Sequence, residues 1–166
     1  MVPHITNAIQ EWIEKVANQD NKFDVCIVEM GGVVGDIEGS PFVEALRQMQ
    51  FRIGSGNFFV AHLSMLPECN GELKTKPTQM SIKELRAVGL IPNMLICRTK
   101  YSISSETRDK LSLFCQLPPS HIIEMIDCSC LYEIPLKLFE QNVCHILNHE
   151  LGLGIKTLDI DRLSRW

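Results

Sequence analysis

The sequence predicts an α/β fold in three layers, in which a mostly parallel β-sheet lies between helices on both faces. Three observations lead to this prediction. Apolar runs of strand length alternate with segments that carry the apolar spacing of helices. The strand-length runs are apolar from end to end, which is typical of parallel strands buried on both faces. Polar segments rich in glycine or lysine follow the strands, and α/β proteins bind ligands at this edge of the sheet.

The first elements follow from apolar spacing and capping signals. Apolar residues recur at helical spacing from Ile5 to Val16, which predicts a helix with one buried face. The apolar run FDVCIVE at 23–29 predicts the first strand. Ser40 and Pro41 then predict the N-cap and first turn of a second helix.

The rest of the chain continues the alternation. Ser81 opens a capping-box pattern, Ser-Ile-Lys-Glu, which predicts a short helix that Gly89 closes. A further helix is expected to end at 109–115, and the helical region 135–151 is expected to be interrupted near Asn142. The remaining strands are predicted at 57–66, 93–98 and 121–127.

Composition argues against several classes of protein. The formal net charge of −4 over 166 residues argues against a general nucleic-acid binder, which is usually basic. No uninterrupted apolar run reaches the roughly 18 residues of a membrane span. The N-terminal residues lack the layout of a signal peptide. We therefore expect a cytoplasmic protein without nucleic-acid or membrane partners.

Cysteine and histidine residues carry no strong motif. The seven cysteines include no CxxC pair and are interpreted as reduced, buried thiols of a cytosolic protein. A metal site built from Cys128, Cys130 and His121 is the alternative. The five histidines form no HExxH pattern. Four of them are interpreted as structural, and His4 is left without a role; the four are His62, His121, His145 and His149.

The segment after the first predicted strand combines acidic residues with glycines. Glu29 lies at the strand end, where a carboxylate can bind Mg²⁺. Glycines in the segment GGVVG at 31–35 permit positive φ angles and close approach to a ligand. Asp36 and Glu38 can accept hydrogen bonds from sugar or amine groups. The alternative is a glycine-rich turn with solvated acids.

The segment after the second predicted strand is basic. In KTKPTQ at 74–79, two lysines offer positive charge to phosphate, while the threonines and the glutamine offer directed hydrogen bonds. The segment precedes a predicted helix N-terminus, which favours anions. Lys110, after the third strand, is a further candidate phosphate ligand. The alternatives are an ordinary surface loop and a surface lysine.

Acidic and basic strand-end segments together indicate a nucleoside triphosphate with Mg²⁺. The chain nevertheless contains no GxxxxGK[ST] phosphate loop and no Gly-Lys dipeptide. An unrelated α/β hydrolase or kinase would need its own nucleophile or phosphate loop, and neither is visible in the sequence.

Longer segments resemble the synthetase (amidoligase) domain of the CTP synthase family, in the same order. The resemblance runs from Val2 to about Leu151, and CSCLYEIPL at 128–136 is a weaker copy of a further family segment. It implies a partial synthetase domain at 1–151, with 152–166 starting a linker toward a glutaminase domain. The strongest matching segments are VPHITNAIQEW, VEMGGVVGDIEGSPFVEALRQMQF, GELKTKPTQMSIKELRAVGL and DKLSLFC.

The resemblance implies a fold like that of P-loop NTPases, and an activity. The family phosphorylates the uracil 4-oxygen of UTP with ATP, and ammonia released from glutamine then displaces the phosphate to give CTP. The implied sites are Mg²⁺ at Glu29, ATP adenine at Cys128, the CTP feedback site at Asp36, Ile37 and Glu38, and the UTP or CTP triphosphate at Lys74, Thr75, Lys76, Pro77, Thr78, Gln79 and Lys110.

The chain departs from the family pattern in several places. Family members begin with a strand and a phosphate loop ending in Gly-Lys, followed by the first Mg²⁺ aspartate, and this sequence contains none of these. It has no GxCxG motif for glutamine hydrolysis, and Val33 stands where the family usually has threonine. Because phosphoryl transfer depends on positioning and charge neutralisation, we expect the chain to be inactive alone.

Three origins and one other function stay open. The chain is a truncated isoform or partial gene model, a diverged paralogue, or a segment cut from a complete enzyme. The other function is a non-catalytic UTP- or CTP-binding module that assembles with a full-length CTP synthase and regulates it. The family forms tetramers, and its KTKPTQ loop binds nucleotide partly across a subunit interface, so homo-oligomers are also expected.

Overall fold

The computed structural model of the protein describes residues 2–19 and 23–156, which belong to two compact units. The first unit comprises the described residues up to 58 together with 83–91. The second comprises 59–82 and the described residues from 92 onward. Most of the predicted linker at 152–166 lies outside the described residues, and the domain boundary at 151 stays a prediction.

Helices and short strands alternate through most of the described chain. The six helices found there are α1 His4–Ala17, α2 Ser40–Ile53, α3 Lys76–Ala87, α4 Ser105–Cys115, α5 Ile134–Glu140 and α6 Val143–Glu150. The five strands found there are β1 Ala61–Leu66, β2 Glu68–Cys69, β3 Glu72–Leu73, β4 Met94–Thr99 and β5 Ile122–Ile126. None of the described helices is long and apolar enough to cross a membrane.

Helix α1 forms where the apolar spacing predicts it, but the predicted buried face is wrong. Ile5, Trp12 and Val16 are exposed, and Trp12 retains 70% of its accessible surface. The residues buried on this helix are instead Thr6 and Gln10. In the first unit, α1 contacts its neighbour α2, and side-chain hydrogen bonds join the two helices.

A hydrogen-bonded network explains why a glutamine is buried between α1 and α2. Gln10 donates from Nε2 to Oε1 of Gln48 over 3.0 Å. Arg52 donates to Oε1 of Gln10 over 3.1 Å and also pairs with Glu14. Because each polar group of Gln10 has a partner, its burial avoids the cost of an unsatisfied amide.

The strand predicted at 23–29 is not formed. The described residues before α2 are irregular, and Phe23, Val25, Ile27 and Val28 are exposed. A strand needs a neighbouring strand to bond its backbone, and the described part of the first unit contains none. Hydrophobicity alone therefore gave the wrong element at 23–29.

Two helix starts differ from the capping signals. Gly39 is the N-cap of α2, so Ser40 is its first residue, while Pro41 lies in the first turn as predicted. Helix α3 begins at Lys76, so Ser81 lies inside the helix and is not its cap. The capping-box prediction at Ser81 is therefore wrong.

The second unit contains the predicted parallel sheet. Its strands lie in the order β1–β4–β5, and both neighbouring pairs are parallel. The strands predicted at 57–66, 93–98 and 121–127 are all present with modest shifts at their ends. A separate two-stranded antiparallel hairpin, β2–β3, follows β1.

Helices cover both faces of this sheet, which confirms the predicted three-layer arrangement. Leu95 and Cys97 of β4 pack with side chains of α3 and α4, including Ile82 and Leu111. The alternate residues Met94 and Ile96 pack on the other face with α5 and α6. The residues there are Leu138, Val143, Ile146 and Leu147. As predicted, the helical region is interrupted near Asn142, which separates α5 from α6. The φ angle of Asn142 is +61°.

The cysteine prediction is only partly right. The seven cysteines all lie in the described part of the chain and form no disulfide there, but only Cys97 and Cys115 are buried. Burial raises the pKa of the Cys97 thiol to about 12, so this thiol stays protonated. The alternative metal site is wrong: His121 and Cys128 lie at opposite ends of β5, and a five-residue strand is about 16 Å long.

The backbone conformation after the end of α3 requires a glycine at position 89. Its φ is +87°, and an added Cβ would lie 2.5 Å from Cδ of Arg47. We expect Gly89→Ala to lower the free energy of unfolding by about 1–2 kcal/mol, measured by urea denaturation. Gly56→Ala is the control, because open space surrounds Gly56 and its φ is not positive. An equal loss in both variants would contradict this account.

The burial of His62 should make the free energy of unfolding depend on pH. This histidine is buried on β1, its Nε2 lies 2.8 Å from Oγ of Ser81, and burial lowers its pKa. The unfolded chain, with a histidine pKa of about 6.5, then binds protons more readily, so stability falls as pH drops below that value. The free energy of unfolding, measured by urea denaturation, should fall between about pH 7.5 and about pH 5.5. We expect this fall to be smaller in His62→Gln than in the wild type and unchanged in His4→Gln. The same pH slope in wild type and His62→Gln would rule out His62 as the source.

Candidate functional site

The carboxyl ends of the three parallel strands form one edge of the sheet in the second unit. Leu66 pairs with Thr99, and Thr99 pairs with Ile126, so the three strands end in register. Segments that follow these strands leave from the same edge, where α/β folds place ligands. The sequence-predicted residues of this unit that follow β1, β4 and β5 therefore share one edge of the sheet.

The β2–β3 hairpin carries the chain from the end of β1 to the basic segment. The Lys74 backbone N–H donates to the Pro67 carbonyl over 2.8 Å, which fixes the exit of the hairpin. Nζ of Lys74 donates to Oε2 of Glu72 over 2.7 Å. This contact lowers the pKa of Glu72 and raises that of Lys74. The charge of Lys74 is thus already compensated by a neighbouring carboxylate.

Thr75 and Thr78 are buried and serve the structure of the second unit. Oγ1 of Thr78 lies 2.9 Å from Oγ of Ser64, which ties the start of α3 to β1. Thr75 accepts a hydrogen bond from Nε2 of Gln79 over 3.0 Å. These hydroxyls were predicted as nucleotide contacts, but in the structure they have partners inside the protein.

The first turn of α3 presents the accessible part of the segment. Lys76 to Gln79 belong to the helix, so the prediction of a loop through 74–79 is wrong for its last four residues. Lys76 and Pro77 are exposed, and Gln79 is half-buried. The first backbone N–H groups of a helix lack intrahelical partners and attract anions. An exposed lysine on this turn suits a phosphate group.

Lys110 and Cys128 occupy other positions in the second unit. Lys110 is exposed in the second turn of α4. Cys128 follows β5 and is half-buried, and its Sγ donates to the Cys130 carbonyl over 3.3 Å. The backbone of Cys128 therefore lies at the same sheet edge as the end of β5.

Charged residues that the sequence reasoning missed also lie at the carboxyl edge. Nε of Arg98 donates to Oδ1 of Asp127 over 2.7 Å, which joins the ends of β4 and β5. Lys100 follows β4, and its Nζ lies 5.5 Å from the centre of the Tyr101 ring. These charged residues lie at or directly after the ends of the predicted strands, and that position in the sequence could have indicated that they belong to the carboxyl edge. Lys76 and Lys100 make no ion pair within the described part of the chain.

The glycine-rich segment lies in the first unit and is open to solvent. Gly32 and Gly35 have φ angles of +90° and +101°, as predicted, whereas Gly31 does not have a positive φ. Glu29 is exposed, and its Oε1 lies 3.7 Å from the position that a Cβ on Gly31 would occupy. A Cβ at this position would make only an ordinary van der Waals contact with the carboxylate.

Asp36 closes the turn that follows the glycines. Its Oδ2 accepts from the Val33 backbone N–H over 3.4 Å, and its own N–H donates to the Val33 carbonyl over 3.2 Å. Ile37 and Glu38 are exposed at the tip, and Ile37 retains 89% of its accessible surface. The tip thus offers one acid and one apolar side chain to a ligand.

The described side chains suit a magnesium ion only if oxygen atoms of a bound nucleotide complete its coordination. Over residues 2–19 and 23–156, no group of three or more His, Cys, Asp or Glu side chains is placed to hold a metal. Mg²⁺ commonly binds through one or two carboxylates together with water and phosphate oxygens. The Glu29 carboxylate fits one such position, and nucleotide oxygens would have to supply others.

Comparison with known proteins gives a consistent result over nearly the whole chain. The family model described as the CTP synthase N-terminus matches residues 1–153. The CTP synthase of Candida glabrata is 46% identical over 178 aligned positions that include all of this chain and 31% of that protein. The CTP synthase of Drosophila melanogaster is 48% identical over 93% of the chain and 26% of that protein.

A bacterial relative shows the same pattern. The CTP synthase of Desulfitobacterium hafniense is 46% identical over 96% of the chain and 30% of that protein. The chain thus spans less than a third of the length of each of these relatives.

The roles of Thr78 and Lys76 can be separated by stability. Thr78→Val removes a fully buried hydroxyl from its contact with Ser64, so we expect the free energy of unfolding to fall by about 1 kcal/mol. Lys76→Ala removes an exposed side chain and should change it by less than about 0.5 kcal/mol. Urea denaturation of both variants checks this. Equal stability of Thr78→Val and wild type would show that the hydroxyl contact contributes nothing.

Proposed function

The chain belongs to the CTP synthase family, and on that premise we propose that it provides the part of the synthetase site that binds the triphosphate of UTP or CTP. The single observation that carries this proposal is the exposed Lys76 on the first turn of α3, which makes no ion pair with any residue that the structure describes. Lys110 adds positive charge from α4, and Lys74 adds it by exchanging its Glu72 partner for phosphate. Their combined charge would neutralise the triphosphate.

The remaining predicted roles follow from the same premise. We propose that the backbone at Cys128 receives the adenine of ATP, and that the turn at 36–38 contacts CTP when this product inhibits the enzyme. We propose that Glu29 contributes to holding Mg²⁺, an ion that neutralises phosphate charge in phosphoryl transfer. Glu29 supplies one exposed carboxylate for this purpose.

The reaction proposed for the whole enzyme is the ATP-dependent amination of UTP to CTP. The 166 residues contain no GxxxxGK[ST] motif, so we propose that by themselves they bind nucleotide without turning it over. The second candidate function is regulation of a full-length CTP synthase through mixed assembly. It is favoured by the same lack of a GxxxxGK[ST] motif in the 166 residues. Added chain would then change the rate of CTP formation by the full-length enzyme in proportion to its concentration.

Calorimetric titration with UTP and CTP in the presence of Mg²⁺ tests the proposal. We expect saturable binding, weakened about tenfold or more in Lys76→Ala, because a hydrogen bond to a charged group contributes roughly 1.5–3 kcal/mol. Lys83→Ala is the matched control, since Lys83 is exposed farther along α3. No binding by the folded wild type, or equal binding by Lys76→Ala, would overturn the assignment of the triphosphate to this helix.

A further inference from the structure

A cavity of about 710 Å³ lies in the second unit, at the edge of the sheet where β5 begins. Three histidines line it: His121, directly before β5, and His145 and His149 on α6. The segment 74–79 follows the carboxyl end of β1, which belongs to the other edge of the same parallel sheet. The cavity is therefore separate from the proposed triphosphate site.

Two of these histidines have the spacing of a helical chelate. His145 and His149 are four residues apart on α6, so their side chains lie on the same face of the helix. Their Cβ atoms are about 5–6 Å apart at this spacing. Histidines at i and i+4 on a helix bind zinc through one nitrogen each in metalloproteases. Both side chains are exposed and can turn toward a common ion.

Protein oxygen atoms lie beside Nδ1 of two of the three histidines in this cavity, and one of these two, His149, is on α6. Nδ1 of His149 lies 3.3 Å from Oε1 of Glu150, and Nδ1 of His121 lies 2.8 Å from the Asn93 carbonyl. An Nδ1–H held by an oxygen leaves the lone pair on Nε2, which is the usual arrangement around a metal-ligating histidine. The Glu150 carboxylate also favours a cation beside His149.

One positive charge lines the same cavity but is compensated. The Arg108 guanidinium donates to the Ile122 carbonyl and lies 3.6 Å from Oε2 of Glu124. Its charge is thus directed toward the strand and a carboxylate. A cation on α6 does not face an unpaired arginine.

We propose that His145 and His149 chelate a transition-metal cation such as Ni²⁺ or Zn²⁺, with water in the remaining positions. Imidazole suits these ions, whereas Mg²⁺ prefers oxygen ligands. The described residues contain no third His, Cys, Asp or Glu ligand placed to complete a cluster. The site is therefore open and exchangeable, unlike the closed sites that stabilise small zinc domains.

Calorimetric titration of the untagged full chain with Ni²⁺ tests this site without any nucleotide. We expect one site per chain, weakened at least tenfold in His145→Ala and in His149→Ala, because each removes one of two protein ligands. His4→Ala is the matched control, since His4 is an exposed histidine on another helix, and it should bind as the wild type does. Unchanged binding in either α6 variant would overturn the chelate.

Histidine NMR distinguishes imidazole from thiolate binding. Zn²⁺ should shift the imidazole signals of His145 and His149 and leave that of His4 unchanged, while Mg²⁺ should shift none of them. If Zn²⁺ binds without shifting the imidazole signals of His145 and His149, and binding is lost in Cys130→Ser, the ion is bound by an exposed thiol. That result would overturn the proposal.

Discussion

The in-register pairing of β1, β4 and β5 is the constraint on which the second unit depends. Because β4 lies between two parallel neighbours, its side chains alternate between two helix-covered faces, with Leu95 and Cys97 on one and Met94 and Ile96 on the other. The same register brings three strand ends to one edge. Burial of apolar surface and placement of the site thus have one origin.

The segment 74–79 shows how one short motif serves two purposes. Its threonines face the protein, where Thr78 meets Ser64 and Thr75 meets Gln79, while Lys76 faces solvent. The contact of Thr78 with Ser64 holds the first turn of α3 against β1, and Lys76 on the same turn stays exposed. A charged ligand at that turn then meets a preorganised helix end, which limits the entropy lost on binding.

The first unit is organised differently, since polar contacts join its helices. Gln10 is satisfied by Gln48 and Arg52, so directed hydrogen bonds contribute to the α1–α2 contact. The apolar side chains of 23–29 and of α1 are left exposed. Exposed apolar surface of this extent is typical of a region that contacts other protein surfaces. In this unit, apolar pattern is a poor guide to what is buried.

Sequence by itself determined the strands β1, β4 and β5, the helices around them and the break at Asn142, because local apolar runs and turn residues carry those signals. It also determined the family, through motifs that survive in order along the chain. Only the tertiary structure decided that 23–29 is not a strand, since strand formation requires a partner that no local pattern records. Likewise, whether Thr78 or Lys76 faces solvent depends on how α3 packs on β1, which a list of residue types does not contain.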